Sequence, residues 1–276
     1  MKQTFILILM LFSISSSLLS QDISVMTYNI KYDNINDTLN NWNDRKKGMA
    51  DLINYYTPEF LGTQEVLFNQ LQYLDDELTA YNYIGVGRDD GKQKGEFSPV
   101  FYNSKNYELL HHETFWLSDT PNEISVGWDA ALERICTYGL FQHKTTQKKL
   151  YVFNTHFDHI GKVAREKSAA LIIKKINEIN VGGLPVILMG DFNLTPDENP
   201  IHLIKQDMLD GQKISQKPFY GPTGTFNGFD PNSTLENRID YIFAKNLVVK
   251  SYIHIDDRME NNKHISDHLP VLAILE

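Results

Sequence analysis

Polar side chains able to bind a cation or move a proton follow apolar runs at several points along the chain. Asn29 and Glu65 each come directly after such a run, and Asp191 and Asn193 follow a third. Because side chains two residues apart on a strand point to one side, Asp191 and Asn193 can face one cleft. Carboxylate and amide oxygens are the ligands that hard cations prefer. The pattern indicates a hard-metal site at the ends of strands.

The second half of the chain carries more residues of this kind. They again follow, precede or lie within apolar runs: His156, Asp158, Asp240, Asp267 and His268. Each residue alone has an ordinary structural interpretation, because Asp-x-Asn commonly forms a turn and charged side chains are mostly solvated. Their joint occurrence, each beside its own apolar run, favours a site that combines a metal with a general acid or base.

Strands that alternate with helices must position these residues. Apolar residues recur at helical spacing over 43–56 and 163–179, and apolar runs of strand type lie between and after them. Polar segments at 90–91 and 144–148 separate two pairs of runs, which predicts two hairpins. Many strands with interspersed helices predict two packed sheets covered by helices.

The composition is that of a soluble globular protein. The chain has 276 residues, of which 42% are hydrophobic and 22% charged, and these values exclude a disordered or fibrous chain. Its 26 Lys and Arg against 35 Asp and Glu give a net charge of −9, which argues against tight, sequence-independent binding to nucleic acid. Cys136 is the only cysteine, which excludes an internal disulfide framework and a Cys-rich zinc site.

The first twenty residues predict a cleaved secretory signal. Lys2 precedes a short apolar run, and small residues follow that run before Gln21. The run is shorter than the ~20 residues needed to span a bilayer. We therefore expect export to the periplasm or the medium, with 1–20 as signal peptide and 21–276 as a single domain. No stable membrane span is predicted elsewhere, and a monomer is expected.

Taken in order, the polar clusters resemble the motif series of the endonuclease/exonuclease/phosphatase superfamily, which has the DNase I-like fold. The matching stretches are Thr27-Tyr28-Asn29-Ile30, Gln64-Glu65, Asn154-Thr155-His156, Gly190-Asp191-Phe192-Asn193, Arg238-Ile239-Asp240-Tyr241-Ile242 and Ser266-Asp267-His268. Segments 87–91, 95–98, 115–118 and 156–161 are more similar to an exported bacterial branch of metal-dependent hydrolases. The resemblance implies an α/β four-layer sandwich, in which two mostly antiparallel sheets pack face to face with helices outside.

At the matching positions the resemblance implies residues that bind a metal ion. Glu65 would be the principal ligand of Mg²⁺ or Mn²⁺, and Asn29 and Asp267 would lie close to the ion. A hard cation held by carboxylate and amide oxygens can polarise a phosphoryl oxygen and stabilise a leaving alkoxide.

The resemblance also implies a catalytic set. Asp191 would orient and deprotonate the attacking water, and Asn193 would hydrogen-bond the phosphoryl oxygen. His268 would contact the phosphoryl group while Asp240 fixes its tautomer, and His156 would donate to a non-bridging oxygen. A carboxylate beside a metal and a cationic imidazole is expected to keep a low pKa.

Contacts to the phosphate and to the rest of the substrate are predicted for a wider set of residues. These are Arg134, Asn193, His156, Asp158 and Trp128. The segment 111–134 is rich in acidic and aromatic residues rather than in Lys and Arg. Such a loop suits a sugar or another small polar leaving group at least as well as a phosphate backbone, while packing within the loop is an alternative use for its aromatic side chains.

The sequence thus predicts an exported Mg²⁺- or Mn²⁺-dependent phosphoesterase. We expect an Asp-activated water to attack, in line, the phosphate ester of a small sugar-linked or lipid-linked substrate. A phosphodiester is favoured over a monoester. One alternative is a secreted or periplasmic nuclease acting on DNA or RNA, which the net charge disfavours. Another is a binding protein that keeps the fold without turnover. A metal-free glycosidase would leave the amide and imidazole side chains without a function.

Overall fold

Two six-stranded sheets form the core of the computed structural model, which describes residues 22–276. The predicted signal peptide, residues 1–20, lies outside the described residues. The strands of the first sheet are β1 (Ile23–Asn29), β2 (Phe60–Gln64), β3 (Tyr81–Ile84), β4 (Val100–Asn103), β11 (Val249–His254) and β12 (Val271–Leu275). The strands of the second sheet are β5 (Tyr107–Trp116), β6 (Ile135–His143), β7 (Lys149–His156), β8 (Val186–Asp191), β9 (Leu209–Asp210) and β10 (Asp240–Lys245).

Each sheet contains one parallel pair of strands in an otherwise antiparallel arrangement. The first sheet has the order β11-β12-β1-β2-β4-β3, with β1 and β2 parallel. The second has the order β5-β6-β7-β8-β10-β9, with β7 and β8 parallel. Because parallel strands end at the same edge of their sheet, each sheet brings two strand ends together at its centre. The last residues of these strands and the loops that follow them carry six of the predicted site residues: Asn29, Glu65, His156, Asp158, Asp191 and Asn193.

Helices cover the outer faces of the sheets. They are α1 (Trp42–Tyr56), α2 (Phe68–Glu77), α3 (Lys162–Ile179), α4 (Asn199–Asp207) and the short α5 (Gly211–Ile214). Three apolar clusters separate the layers: one between α1, α2 and the first sheet, one between the sheets, and one between the second sheet and α3 with α4. The predicted four-layer α/β sandwich is therefore confirmed. Among the described residues, no helix has the length and apolar character to cross a membrane.

The boundaries of α1 follow from its local sequence. The side chain of Asn41 accepts a hydrogen bond of 3.1 Å from the backbone N–H of Asp44, which satisfies one free donor of the first turn. The helix ends where Thr57 takes a left-handed conformation with φ 42°, and its N–H donates to the carbonyl of Ile53. A proline follows and disfavours continuation of the helix. The helix predicted over 43–56 is confirmed to within one residue.

The structure corrects the sequence interpretation of segment 111–134. The sequence predicts a substrate loop there, but β5 includes the first part of the segment and pairs with β6. Its residues His111 and His112 are exposed and Glu113 is half-buried. These polar side chains hide the alternation by which a strand is recognised.

Candidate active site

A cleft of about 520 Å³ lies where β1, β2, β7 and β8 end. Its walls contain most of the predicted site residues together with others that the sequence did not single out. The lining residues are Lys31, Tyr32, Glu65, Glu96, Leu132, Arg134, His156, His159, Asp191, Asn193, Phe226, Ile239, Asp267 and His268. Asn29, Asp158 and Asp240 are buried and hydrogen-bond residues of this lining.

Strand register explains why residues distant in sequence meet here. Asn29 is opposite the last residue of β2, so Glu65 follows directly beside it. In the second sheet His156 is opposite Asp191 in the parallel pair, and Asp191 is opposite Asp240 in the antiparallel pair. One edge of each sheet therefore supplies one wall of the cleft.

A buried amide pair joins the two sheets below the cleft. Gln64 Nε2 donates to Asn154 Oδ1 at 2.6 Å. Asn154 Nδ2 in turn donates to the carbonyls of Thr63 at 2.8 Å and Pro99 at 2.7 Å. Gly62 permits this close approach, because a Cβ there would lie 2.7 Å from the Asn154 side chain. These contacts fix the two walls relative to each other.

On the wall formed by the first sheet, two carboxylates converge on one ammonium group. Lys31 Nζ lies 3.4 Å from Glu65 Oε2 and 3.3 Å from Asp267 Oδ2. Asn29 Nδ2 donates to Glu65 Oε1 at 3.1 Å. Burial raises the pKa of Glu65, but the positive charges of Lys31 and His268 outweigh burial and hold the pKa below its usual value. Glu65 is therefore ionised at neutral pH.

This wall fits the predicted metal site in the chemistry of its donors. The carboxylates of Glu65 and Asp267 face a common position where positive charge is stabilised, and hard divalent cations prefer such oxygens. Asn29 fits less simply, because its Oδ1 accepts from the backbone N–H of Lys31 at 3.1 Å while Nδ2 faces Glu65. A divalent cation bound here would supply electrostatic stabilisation of the charge that develops on a phosphate.

A second group of ligand-type atoms lies deeper in the cleft. One atom each from Asp191, Asp240 and His268 falls within 4.8 Å of the others, and all three residues are buried. His268 Nδ1 donates to Asp240 Oδ2 at 2.9 Å, and the Thr225 hydroxyl donates to the same oxygen at 2.5 Å. Since Mg²⁺ prefers an all-oxygen set, this group is better suited to move protons than to hold that ion.

The electrostatics of this group support an acid–base role. Burial lowers the pKa of His268, but the carboxylates of Asp240 and Asp191 outweigh burial and raise it to about 10. Burial and the charge of Asp240 raise the pKa of Asp191 to about 7. The low pKa expected of Asp191 applies to the site with a metal ion bound and stays a prediction. A carboxyl that titrates near neutrality is matched to accepting a proton from water.

His156 and Asn193 occupy the wall of the second sheet. Asn193 Nδ2 donates to the Phe157 carbonyl at 3.0 Å and faces His156 Nε2 at 3.1 Å. Burial, and then the charge of Arg134, lower the pKa of His156 well below its usual value. His156 is therefore neutral, and with Nε2 accepting from Asn193 its single N–H lies on Nδ1. The predicted donation from His156 to phosphate stays a prediction.

Arg134 lines the same wall and is fixed by the loop after β7. Its Nε donates to Asp158 Oδ2 at 3.2 Å, and its Nη2 donates to His159 Nδ1 at 2.9 Å. Burial raises the pKa of Asp158, but the backbone N–H groups of Gly161 and Ile160 and the charge of Arg134 bring it down to about 2. Asp158 was predicted to contact substrate, whereas the structure buries it behind Arg134. Its contacts are those of a residue that positions the arginine.

Two site residues have backbone conformations that few L-residues adopt. Glu65 has φ 59° and Asn193 has φ 51°, both in the left-handed region. A residue other than glycine held there costs about 1 kcal/mol or more, and such strain clusters at functional sites. The surrounding hydrogen bonds must therefore hold both residues in place.

Trp128 is, with Asp158, one of two predicted substrate residues that do not line the cleft. Its Nε1 donates to Asp119 Oδ1 at 2.9 Å, and its ring faces Lys167 Nζ at 5.5 Å. Conversely, Lys31 lines the cleft without having been predicted. Lys31 lies past the end of β1 in a left-handed conformation with φ 57°, so the alternation of strand residues could not have identified it.

Comparison with known proteins agrees with the resemblance seen in the motifs. The model of the Endonuclease/Exonuclease/phosphatase family matches residues 26–268. The chain belongs to this family. Members are hydrolases of phosphate esters and generally use a divalent metal. The predicted enzyme class and DNase I-like fold are thereby confirmed.

Solved structures of two other family members are similar over nearly the whole chain. An endonuclease/exonuclease/phosphatase from Bacteroides vulgatus is 41% identical, with a TM-score of 0.88 over 93% of this chain and 99% of that one. A mannosyl-6-phosphatase from Bacteroides thetaiotaomicron is 39% identical, with a TM-score of 0.88 over 92% and 99%. A probable RNA exonuclease of Saccharomyces cerevisiae is 28% identical over 66% of this chain but only 39% of its own length.

Proposed function

We propose that this family member is an exported phosphoesterase that uses Mg²⁺ or Mn²⁺ to hydrolyse the phosphate ester of a small phosphorylated sugar. One observation carries the proposal: a single cleft combines converging carboxylates, an imidazole–carboxylate pair and an arginine. Hydrolysis of a phosphate ester needs charge stabilisation on oxygen, an activated water and groups that place both.

The proposed roles of the chain's own residues follow from their contacts. Asp191 accepts the proton of the attacking water. His268, whose Nε2 lies 3.7 Å from Asp191 Oδ2, helps to orient this water. Asp240 keeps the proton of His268 on Nδ1. Arg134 places a positively charged N–H group where negative charge develops on the phosphoryl oxygens, whereas the two N–H groups of the Asn193 amide are already donated to the Phe157 carbonyl and to His156 Nε2.

The size and charge of the molecule support a small substrate. The cleft of about 520 Å³ suits a monosaccharide phosphate rather than an extended chain. The net charge of −9 disfavours a polyanionic substrate. The mannosyl-6-phosphatase relative acts on a phosphorylated sugar, as its name states. Export is supported by the pattern of residues 1–20.

A competition between substrate classes tests the proposal. Phosphate release from mannose 6-phosphate and from glucose 6-phosphate should exceed the cleavage of single-stranded RNA and DNA oligonucleotides at equal concentration with Mn²⁺. The RNA exonuclease among the relatives makes a nuclease the second candidate. Faster cleavage of either oligonucleotide than of both sugar phosphates would replace the proposal with that candidate.

A further inference from the structure

Glu96 places a negative charge in a cleft that must receive a negatively charged phosphate. It lines the cleft beside Arg134 and His156. Its Oε2 lies 3.9 Å from His156 Nδ1, beyond hydrogen-bond distance. None of the roles assigned above uses this carboxylate. An acceptor-only group at this position repels phosphate, so its contribution must come from another part of the substrate.

The carboxylate of Glu96 is held rigidly in this position. Arg88 Nη1 donates to Oε2 at 2.7 Å and Nη2 donates to Oε1 at 3.0 Å, a two-pronged contact that fixes the plane of the carboxylate. Arg88 is itself buried, and its carbonyl accepts from Trp116 Nε1 at 2.8 Å. The side chain of Glu96 nevertheless keeps 18% of its surface exposed. The oxygens therefore retain lone pairs that a group in the cleft can reach.

Neighbouring groups supply hydrogen-bond donors around this acceptor. The single N–H of neutral His156 is on Nδ1 and faces Glu96, but this nitrogen is buried, so it favours the carboxylate without reaching the substrate. Arg134 and His159 line the same side of the cleft. A hydroxyl group both donates and accepts, so a row of hydroxyls is complementary to an acceptor flanked by donors.

We propose that Glu96 recognises hydroxyl groups on the alcohol part of the substrate and thereby selects phosphate esters of sugars. This inference rests on the proposed function, because it concerns the same cleft. A nucleic-acid substrate would bring further phosphates near Glu96, whereas a monosaccharide brings hydroxyl donors. Glu96 would therefore favour sugar phosphates over nucleic acids, through hydrogen bonds to the hydroxyls of the former and repulsion of the phosphates of the latter.

The test compares two esters that share the phosphate and differ in hydroxyls. Values of kcat/KM for mannose 6-phosphate and for phenyl phosphate are measured with the wild-type protein and with Glu96→Gln, with Mn²⁺ present. The ratio of kcat/KM for mannose 6-phosphate to that for phenyl phosphate should fall about tenfold or more in the variant, mainly through KM. Glu59→Gln is the matched control, because Glu59 is a half-buried carboxyl bonded to Asn106 and lies outside the cleft lining.

Other outcomes separate the inference from the function on which it rests. An equal loss on both esters, or no loss on either, would overturn the role of Glu96 while leaving the phosphoesterase in place. A wild-type protein inert on both esters would overturn the proposed function itself. If Glu96→Gln melts well below the wild type, the double variant Arg88→Met/Glu96→Gln removes both charges and leaves no unpaired guanidinium. The same fall in the ratio is expected of it.

Discussion

His268 Nδ1 lies 2.9 Å from Asp240 Oδ2, and the opposite ring nitrogen lies 3.7 Å from Asp191 Oδ2. One imidazole thus bridges two buried carboxylates from neighbouring strands. The first contact stabilises the cationic ring and fixes its orientation, and the second directs the other N–H towards the predicted base. The chemistry proposed for the cleft depends on this alignment.

Asp240→Asn should therefore lower turnover while leaving metal binding nearly unchanged. The amide cannot stabilise the cationic ring and can bind the wrong tautomer of His268, so we expect kcat to fall about 100-fold or more. Affinity for Mn²⁺ should change less than threefold, which calorimetric titration would measure. Asp256→Asn is the control, since Asp256 also faces a histidine, His264, at 3.6 Å but outside the cleft lining. Unchanged kcat in Asp240→Asn would contradict the alignment.

Glu65→Gln should weaken metal binding and activity together. Removing one of the two carboxylate charges that converge on the Lys31 position should raise the Kd for Mn²⁺ about tenfold or more. Excess Mn²⁺ should restore part of the activity. Glu123→Gln, an exposed carboxylate in a loop, is the control.

The same titration distinguishes the two candidate metal positions. If Glu65→Gln binds Mn²⁺ as tightly as the wild type while Asp191→Asn does not, the ion belongs to the deeper group of Asp191, Asp240 and His268. The assignment of Glu65 and Asp267 to the metal would then be wrong.

Arg45 is expected to position the loops that carry the metal-binding residues. Its guanidinium is buried and donates to the carbonyls of Ile30 at 2.8 Å, Lys31 at 3.2 Å and Ile265 at 2.9 Å. Since a lysine cannot reach all of these carbonyls, Arg45→Lys should lower the free energy of unfolding by about 2–4 kcal/mol and raise the Kd for Mn²⁺.

The readouts for Arg45→Lys are urea denaturation and metal titration. Arg258→Lys is a suitable control, because the hydrogen bonds of Arg258 to Asp256 are exposed to solvent. Its free energy of unfolding and its Kd for Mn²⁺ should both stay near the wild-type values. Loss of stability with unchanged Mn²⁺ affinity would show that Arg45 supports the fold but does not position the metal-binding loops.

His254 should make the protein less stable in mildly acidic solution. Burial lowers its pKa to about 4, and its Nε2 is buried without a hydrogen-bond partner among the described residues. An unfolded histidine has a pKa of about 6.5, so between these values the unfolded state binds the extra proton. Stability is therefore full above pH 6.5 and falls as the pH decreases towards 4, by up to about 3 kcal/mol from this residue.

Urea denaturation at pH 7 and pH 4.5 measures this contribution. His254→Gln can still donate to the carbonyl of Pro222, which His254 Nδ1 contacts at 2.7 Å, and should show a smaller loss between the two pH values. The exposed His112 gives the control His112→Gln, whose loss should match the wild type. An identical pH dependence of stability in His254→Gln and the wild type would show that His254 does not cause the loss of stability in acid.

The sequence predicted the layers of the fold and the residues at the strand ends, because both leave local patterns. Asn29 and Asp191 follow apolar runs, and the runs themselves form the central strands. The hydrogen bonds of Arg45 could not be predicted from a local pattern, because its partners are carbonyls from segments more than 200 residues apart. Trp128 was predicted from its residue type, yet its partner Asp119 is set by the path of the loop. Contacts of this kind depend on tertiary packing, which composition and periodicity do not encode.

Metal-dependent phosphoesterase activity in this cleft can be measured by the hydrolysis of p-nitrophenyl phosphate and bis(p-nitrophenyl) phosphate by the purified protein. Each ester is assayed with Mg²⁺, with Mn²⁺ and with EDTA, and His268→Ala serves as the inactive control. We expect release of p-nitrophenol from at least one ester, and this release should require the metal and be lost in the variant. The ratio of rates for the two esters distinguishes monoester from diester chemistry. Release that persists in EDTA or in His268→Ala would contradict a metal-dependent phosphoesterase built around this cleft.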